Sequence, residues 1–301
     1  MRKIFITGSN GLLGQKLVYA LKKRNDVDVI ATARGENRLL DKTGYRYFSL
    51  DISNENEVKQ LMEDCKPNVV IHCAAMTNVD VCESKREECW KINVDAVQYL
   101  CTAAEKNNAH FIHISTDFIF DGTSGPYTEE GIPNPVSYYG ESKLAAEKIV
   151  EKYKGKWAIA RTVLVYGLVD NMSRSNIVLW AKGELEKGKV INVVNDQFRT
   201  PTLAEDLAEG CILIADKQAQ GIYNISGKDY MSIIELVNRV ADYYHLDKSL
   251  IHAVSSQTLK QPAKRPPVTG FILDKAIKEL GYAPHSFEEG IAILEEQIKI
   301  S

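Results

Sequence analysis

Three glycines in a GxxGxxG spacing, Gly8, Gly11 and Gly14, follow an apolar run at Lys3–Thr7 and precede a segment of helical periodicity beginning at Leu12. A tight strand-to-helix turn needs residues without side chains, so that backbone can approach backbone and a phosphate can approach both. The start of the helix then offers unsatisfied N–H groups and a partial positive charge. The bare spacing says little, but between a strand and an amphipathic helix it points to a dinucleotide site. Gly8, Asn10, Gly11, Leu12, Leu13 and Gly14 are expected to line it.

The same rhythm continues along the chain. Strands are predicted at Asp28–Thr32, Arg46–Leu50, Val69–Cys73, Phe111–Ser115 and Trp157–Val165, with helices near Leu12–Lys23, Asn54–Cys65, Glu88–Lys106 and Ser137–Tyr153. Apolar runs without strict alternation suit strands covered on both faces. The pattern predicts an α/β fold: a doubly wound parallel sheet of the Rossmann type with a smaller C-terminal substrate lobe. Residues 1–167 are expected to form the dinucleotide-binding domain, with parts of 190–225 returning to it, and 168–301 mainly the substrate-binding lobe. In that lobe Thr202 with Glu205, Ser232 with Glu235 and Ser286 with Glu289 read as capping boxes. Pro262, Pro266 and Pro267 mark an extended segment.

Charge and cysteine usage exclude several classes. Among 301 residues, 37 basic and 40 acidic side chains leave a net charge of −3, so no basic field invites nucleic acid or an anionic membrane. The N-terminal apolar stretch is too short for a signal core or a membrane span. Six cysteines without a CxxC pair or metal-like spacing read as free core thiols in a reducing cytoplasm, with no metal expected. The acidic cluster Glu288, Glu289, Glu295 and Glu296 reads as a solvated helix face.

Cofactor preference and chemistry are legible at two places. An NAD site usually carries an acid about 20 residues past the glycines. Here Arg34 stands at that distance from Gly14, a partner for a 2′-phosphate with Arg38 nearby, although Glu36 lies close. NADP is therefore expected, NAD remaining open, with Asp51 and Ile52 at the adenine edge. Tyr139 and Lys143 are one helical turn apart and share a face. A neighbouring ammonium is expected to lower the phenol's pKa and let Tyr139 act on a carbonyl oxygen. The same spacing recurs at Tyr19/Lys23 and Tyr244/Lys248. Only Tyr139 follows a strand ending in Ser115-Thr116-Asp117, where a hydroxyl can meet the same oxygen.

TGSNGLLG, HCAAMTNVD, STDFIFDG, YYGESK and NDQFRTPT together resemble the extended short-chain dehydrogenases, above all the dTDP-4-dehydrorhamnose reductase family, over nearly the whole chain. The regulatory β subunit of methionine adenosyltransferase, which binds NADP as a partner protein, is similar too. The resemblance implies NADPH-dependent reduction of a 4-keto-6-deoxy nucleotide sugar by Thr116, Tyr139 and Lys143. A regulatory subunit, or another sugar-nucleotide epimerase or reductase, stands as the alternative. The resemblance also implies Ala74, Ala75 and Thr77 along the cofactor, Asn93 in support, and Gln197, Arg199 and Arg265 toward the substrate, where Asn78 beside Asp80 is a further candidate; the assembly state, a homodimer among the options, is left open. Related dehydratases read Thr-Asp-Glu where this chain has Phe118 after Asp117, which argues against dehydration. The chain departs at Leu164, often tryptophan in the reductases, and at the long connection Leu168–Asn176. Both departures bear on the sugar rather than on the hydride chemistry.

Overall fold

The computed structural model describes residues 1–171, 175–259 and 261–300, so three residues of the Leu168–Asn176 connection lie outside the described set. Strand β1 (Arg2–Thr7) turns through the glycines into α1 (Leu12–Leu21). Then come β2 (Val27–Ala33), β3 (Arg46–Ser49), α2 (Glu55–Cys65), β4 (Val69–His72), α3 (Val79–Ser84), α4 (Arg86–Trp90), α5 (Ala96–Glu105), β5 (His110–Thr116), α6 (Tyr138–Val150) and β6 (Trp157–Thr162). The remainder holds β7 (Val165–Tyr166), α7 (Ile177–Glu186), β8 (Ile191–Val194), β9 (Phe198–Arg199), β10 (Thr202–Leu203), α8 (Ala204–Lys217) and β11 (Gly221–Asn224). It closes with β12 (Met231–Ser232), α9 (Ile233–Tyr243), β13 (Ile251–Val254) and α10 (Phe287–Ile300).

Among the described residues, seven strands form one parallel sheet in the order β11-β6-β5-β4-β1-β2-β3. The chain starts in the middle, winds outward to β3, then crosses back to β4, so the order reverses between β1 and β4. In a doubly wound sheet the ligand crevice opens at that switch point. Both faces are covered. Leu17, Val18 and Leu21 of α1 pack with Leu207 and Cys211 of α8 on one side; Val58, Met62, Leu100 and Val150 fill the other. A third cluster joins α7, α9 and α10 through Val178, Ala181, Leu236, Val237, Ile291 and Leu294.

Three local readings differ from the sequence expectation. The helix over Glu88–Lys106 is interrupted by a π turn at Lys91–Asp95, one residue wider than an α turn. The predicted strand Trp157–Val165 leaves the sheet after Thr162, because Leu164 takes a left-handed φ of 39° and β7 pairs with β10 instead. Thr202 does not cap α8; its hydroxyl donates to the Val163 carbonyl at 2.6 Å, and the helix starts without a side-chain cap. Ser232 and the reciprocal Ser286–Glu289 pair do cap, as the spacing predicts.

Arg161 on β6 and Glu147 on α6 form a two-pronged ion pair at 2.8 and 3.1 Å, with side chains 3% and 2% exposed. Removing one partner of such a pair strands a buried charge. Arg161→Met is expected to lower unfolding free energy by about 3–5 kcal/mol. Adding Glu147→Leu should recover most of that loss in urea titrations, whereas a single variant as stable as the parent would show that the pair is solvated.

Candidate active site

The β1–α1 turn leaves no room for side chains. Gly8 has a φ of +70°, and a Cβ on Gly14 would lie 2.3 Å from the Gly8 carbonyl oxygen. No side chain caps α1 and its first turn carries no acid, so a ligand's phosphate meets the helix start without competition. The Ser9 hydroxyl beside it is buried without a partner. Asn10 ties the turn to the segment after β2, donating to the Glu36 carbonyl at 2.8 Å and accepting from the Arg38 amide at 2.9 Å. Arg34 is exposed on that segment. Asp51 accepts two hydrogen bonds from Ser53. Burial pushes its carboxyl up, but Ser53 and the nearby Arg34 outweigh that and hold it below the usual carboxylate range. Ile52 is buried next to it, and Leu13 lies in the core under α1. Across the switch point the Ala74 amide donates to Thr7 Oγ1 at 3.2 Å, fixing the start of a loop on which Ala75 is half-buried and Thr77 exposed. A cradle that one Cβ would fill, an uncapped helix start and an adjacent arginine fit a dinucleotide carrying an extra phosphate.

Helix α6 brings the second group of residues to the end of β5. Ser137 Oγ caps it, accepting from the Gly140 amide at 3.2 Å. Gly140 then sits so close to the chain leaving β5 that a Cβ there would be 2.2 Å from the Phe118 carbonyl oxygen. The Tyr139 hydroxyl lies beside Thr116, and its ring meets Phe118 edge-on at 5.8 Å. Lys143, one turn on, is 3% exposed and donates to the Ile114 carbonyl at 2.6 Å and to His113 Nε2 at 3.1 Å. Burial pushes its ammonium down to about 8, with Glu147, Cys73 and Cys89 opposing.

The expected depression of the Tyr139 phenol is not what its surroundings produce. Burial raises it, the Thr116 side chain offsets part of the rise, and Asp117 adds to it. The Lys143 charge is turned toward β5 rather than onto the phenol. Tyr139 therefore stays protonated across neutral pH, the state a proton donor needs. Asn93, on the π turn, bonds to Met76 N, Met76 O and Ser142 Oγ at 2.8–3.1 Å, locking the cofactor-side loop to α6.

The residues expected to face a substrate divide. Gln197 and Arg265 line a cavity of about 390 Å³ with Lys264, Gln257 and Asp121. Arg265 pairs with Asp80 at 2.8 Å, and Asn78 caps α3 by accepting from the Val81 amide. Arg199 is 3% exposed, behind that cavity rather than on its lining; its guanidinium donates to the Phe198, Pro266 and Pro267 carbonyls and lies 3.6 Å from Asp117. The described start of the connection is tied to the segment after β2: Asp170 accepts from Tyr19 and Leu40, and Asn171 donates to the Arg38 carbonyl. Tyr19 is thereby engaged in that contact, and Lys248 pairs with Asp242, so neither look-alike Tyr/Lys pair joins the site. His113 was not distinguishable in the sequence, since it sits in a run that reads as buried strand. Among the described residues no cluster of side chains could hold a metal, and no helix is long and apolar enough to cross a membrane.

A lysine whose folded pKa falls from 10.5 to about 8 carries a charge that opposes folding, worth about 3 kcal/mol below pH 8. The unfolded chain binds the extra proton between those values, so this penalty fades as pH rises from 8 toward 10.5. Lys143→Met is expected to match or exceed the parent in stability at pH 7, with the difference shifting toward the parent by pH 10. Denaturant titrations at both pH values check it; a pH-independent difference would refute the buried ammonium.

Comparison with known proteins places this arrangement. The family model described as the RmlD substrate binding domain matches residues 1–299. The chain is 33% identical over 261 residues to methionine adenosyltransferase 2 subunit beta of Xenopus laevis, covering 85% of this chain and 76% of that protein. It is 31% identical over 303 residues to dTDP-4-dehydrorhamnose reductase of Aggregatibacter actinomycetemcomitans, covering 97% of each. The crystal structure of a dTDP-4-dehydrorhamnose reductase from Clostridium acetobutylicum matches with a TM-score of 0.86 at 30% identity, over 99% of each chain. That of the Bacillus anthracis enzyme in complex with NADP matches at 0.84 and 28%, over 99% of this chain and 100% of that one. With the family model matched from residue 1 to 299 and nearly its whole length superposed on these structures, the chain belongs to the RmlD substrate binding domain family.

Proposed function

We propose that this protein reduces the keto group of a 4-keto-6-deoxy nucleotide sugar with NADPH. The observation that carries the reading is the convergence of Thr116, Tyr139 and Lys143 at the end of β5, two strands from the uncapped glycine turn of β1. Gly8, Asn10, Gly11, Leu12, Leu13 and Gly14 hold the pyrophosphate, Arg34 takes the 2′-phosphate, Asp51 and Ile52 meet the adenine, and Ala74, Ala75 and Thr77 border the nicotinamide half. NADPH, when bound, supplies the hydride. Thr116 positions the ketone oxygen, Tyr139 gives that oxygen its phenolic proton, and Lys143 holds the nicotinamide ribose. Gln197, Arg265 and Lys264 take the nucleotide diphosphate. Arg199 acts outside that lining by fixing the Pro266 and Pro267 carbonyls, the second of which belongs to a residue of the cavity wall. Residues 1–167, with part of 190–225, serve the cofactor, and 168–301 mainly the sugar nucleotide. The free cysteines accord with a reducing cytoplasm.

A regulatory subunit is the second reading, supported by the similarity to methionine adenosyltransferase 2 subunit beta and by the internal engagement of Arg199 and Arg265. NADPH oxidation with dTDP-4-keto-6-deoxymannose separates the two. Absence of turnover together with absence of dTDP binding at millimolar concentration would leave the regulatory reading.

Two substitutions test the roles within the reductase. Tyr139→Phe keeps the ring packing and should keep NADPH binding, while turnover drops roughly 10²–10⁴-fold. Tyr19→Phe and Tyr244→Phe should leave turnover nearly unchanged; equal losses in all three would defeat the assignment. Arg34→Ala removes a charge-assisted contact of about 1.5–3 kcal/mol. NADPH affinity should fall at least tenfold with NADH affinity hardly altered, and an equal loss for both cofactors would reassign Arg34.

A further inference from the structure

We propose that His113 is a positioning residue: its Nε2 accepts a hydrogen bond from the Lys143 ammonium and holds that charge at the carboxyl end of β5. The inference deepens the reductase reading and rests on it for the role of Lys143. His113 is fully buried between Phe111–Ile112 and Ile114, in a strand where hydrocarbon would serve packing equally well. Its Nε2 is 3.1 Å from Lys143 Nζ, and an ammonium can only donate, so the ring is neutral and carries its proton on Nδ1. That Nδ1 has no partner. A buried ring with one unsatisfied N–H is a penalty that phenylalanine would avoid. The bond to Lys143 offsets it.

The geometry around the ring keeps it an acceptor. His72 on β4 stacks on His113 at 5.4 Å, and its own Nδ1 meets Thr7 Oγ1 at 2.7 Å. Burial first, then the Lys143 charge, drive His72 down to about 3 and His113 well below its ordinary value. Neither protonates at working pH, so no second positive charge arises beside the lysine. The groups facing Lys143 are His113 and, behind it, His72; Cys73 at the end of β4; Cys89 from α4; and Glu147 on its own helix, paired with Arg161. Of the three ammonium protons, two go to β5, to His113 and the Ile114 carbonyl, which leaves one for a ribose hydroxyl.

Losing the acceptor should therefore make the ammonium easier to deprotonate. NADPH binding is followed by its fluorescence from pH 6 to pH 10 without any sugar nucleotide, alongside the pH profile of turnover. His113→Met is expected to bind NADPH almost normally at pH 6, with the alkaline loss of binding and of turnover beginning about one pH unit earlier than in the parent, on the order of tenfold weaker binding above pH 8. His113→Gln sets an amide oxygen near the Nε2 position and should restore the parent profile; His113→Asn is too short and should not. The Gln and Asn pair decides the matter even where Met fails to fold. Equal profiles for Gln and Asn, or a loss uniform across pH, would overturn the proposal. Intact, pH-dependent NADPH binding without sugar-nucleotide turnover would count against the reductase reading alone.

Discussion

The site depends on one contact without side chains, the seating of α6 at Gly140 on the Phe118 carbonyl. Any Cβ there would push the helix off the strand end. Because a helix climbs about 6 Å in four residues, Tyr139, Lys143 and Glu147 step down one face at regular intervals. Each is fastened to a different part of the sheet: Thr116 at the tip of β5, Ile114 and His113 within it, and Arg161 on β6. The helix is pinned along its length, and the chemistry sits at its N-terminal end.

That pinning is made from groups that water would otherwise hold. A buried lysine, two buried histidines and a buried ion pair lie within one layer beside the sheet. Such a set lowers stability relative to hydrocarbon of the same shape. What it yields is definition: the ammonium has its acceptors fixed in number and direction, so little reorganisation remains when a ligand arrives. The apolar clusters on both sheet faces and under α9 and α10 supply the stability against which this is set.

Much of this was legible in the sequence. The glycine turn, the first six strands of the sheet and the Tyr139/Lys143 pair follow from local spacing, because each is enforced by residues within a few positions, and the order of strand β5 before helix α6 adds Thr116. What was not legible depends on partners far along the chain. Gly221–Asn224 becomes the seventh strand only by pairing with β6, and nothing in its four residues announces that. Thr202 has a capping sequence, yet the Val163 carbonyl claims its hydroxyl once β10 lies against β7. Arg199 reads as a surface anion binder until the Pro266–Pro267 backbone arrives to take its N–H groups. The π turn at Lys91–Asp95 carries Asn93, whose bonds to Met76 and Ser142 join segments far apart in the chain. Leu164 shows no local mark of its left-handed backbone.

The pairing of Arg265 with Asp80 has a consequence for what the neighbouring cavity admits. One carboxylate accepts both prongs of the guanidinium and the Ala263 amide, strapping the extended segment to α3. The two N–H groups that Asp80 holds are reached only by exchange with that carboxylate. A group that displaces Asp80 there needs paired anionic oxygens of its own. A neutral sugar has nothing to trade. The Asp80 carboxylate thus sets a threshold of charge, rather than of shape, for anything that would take its place on the arginine.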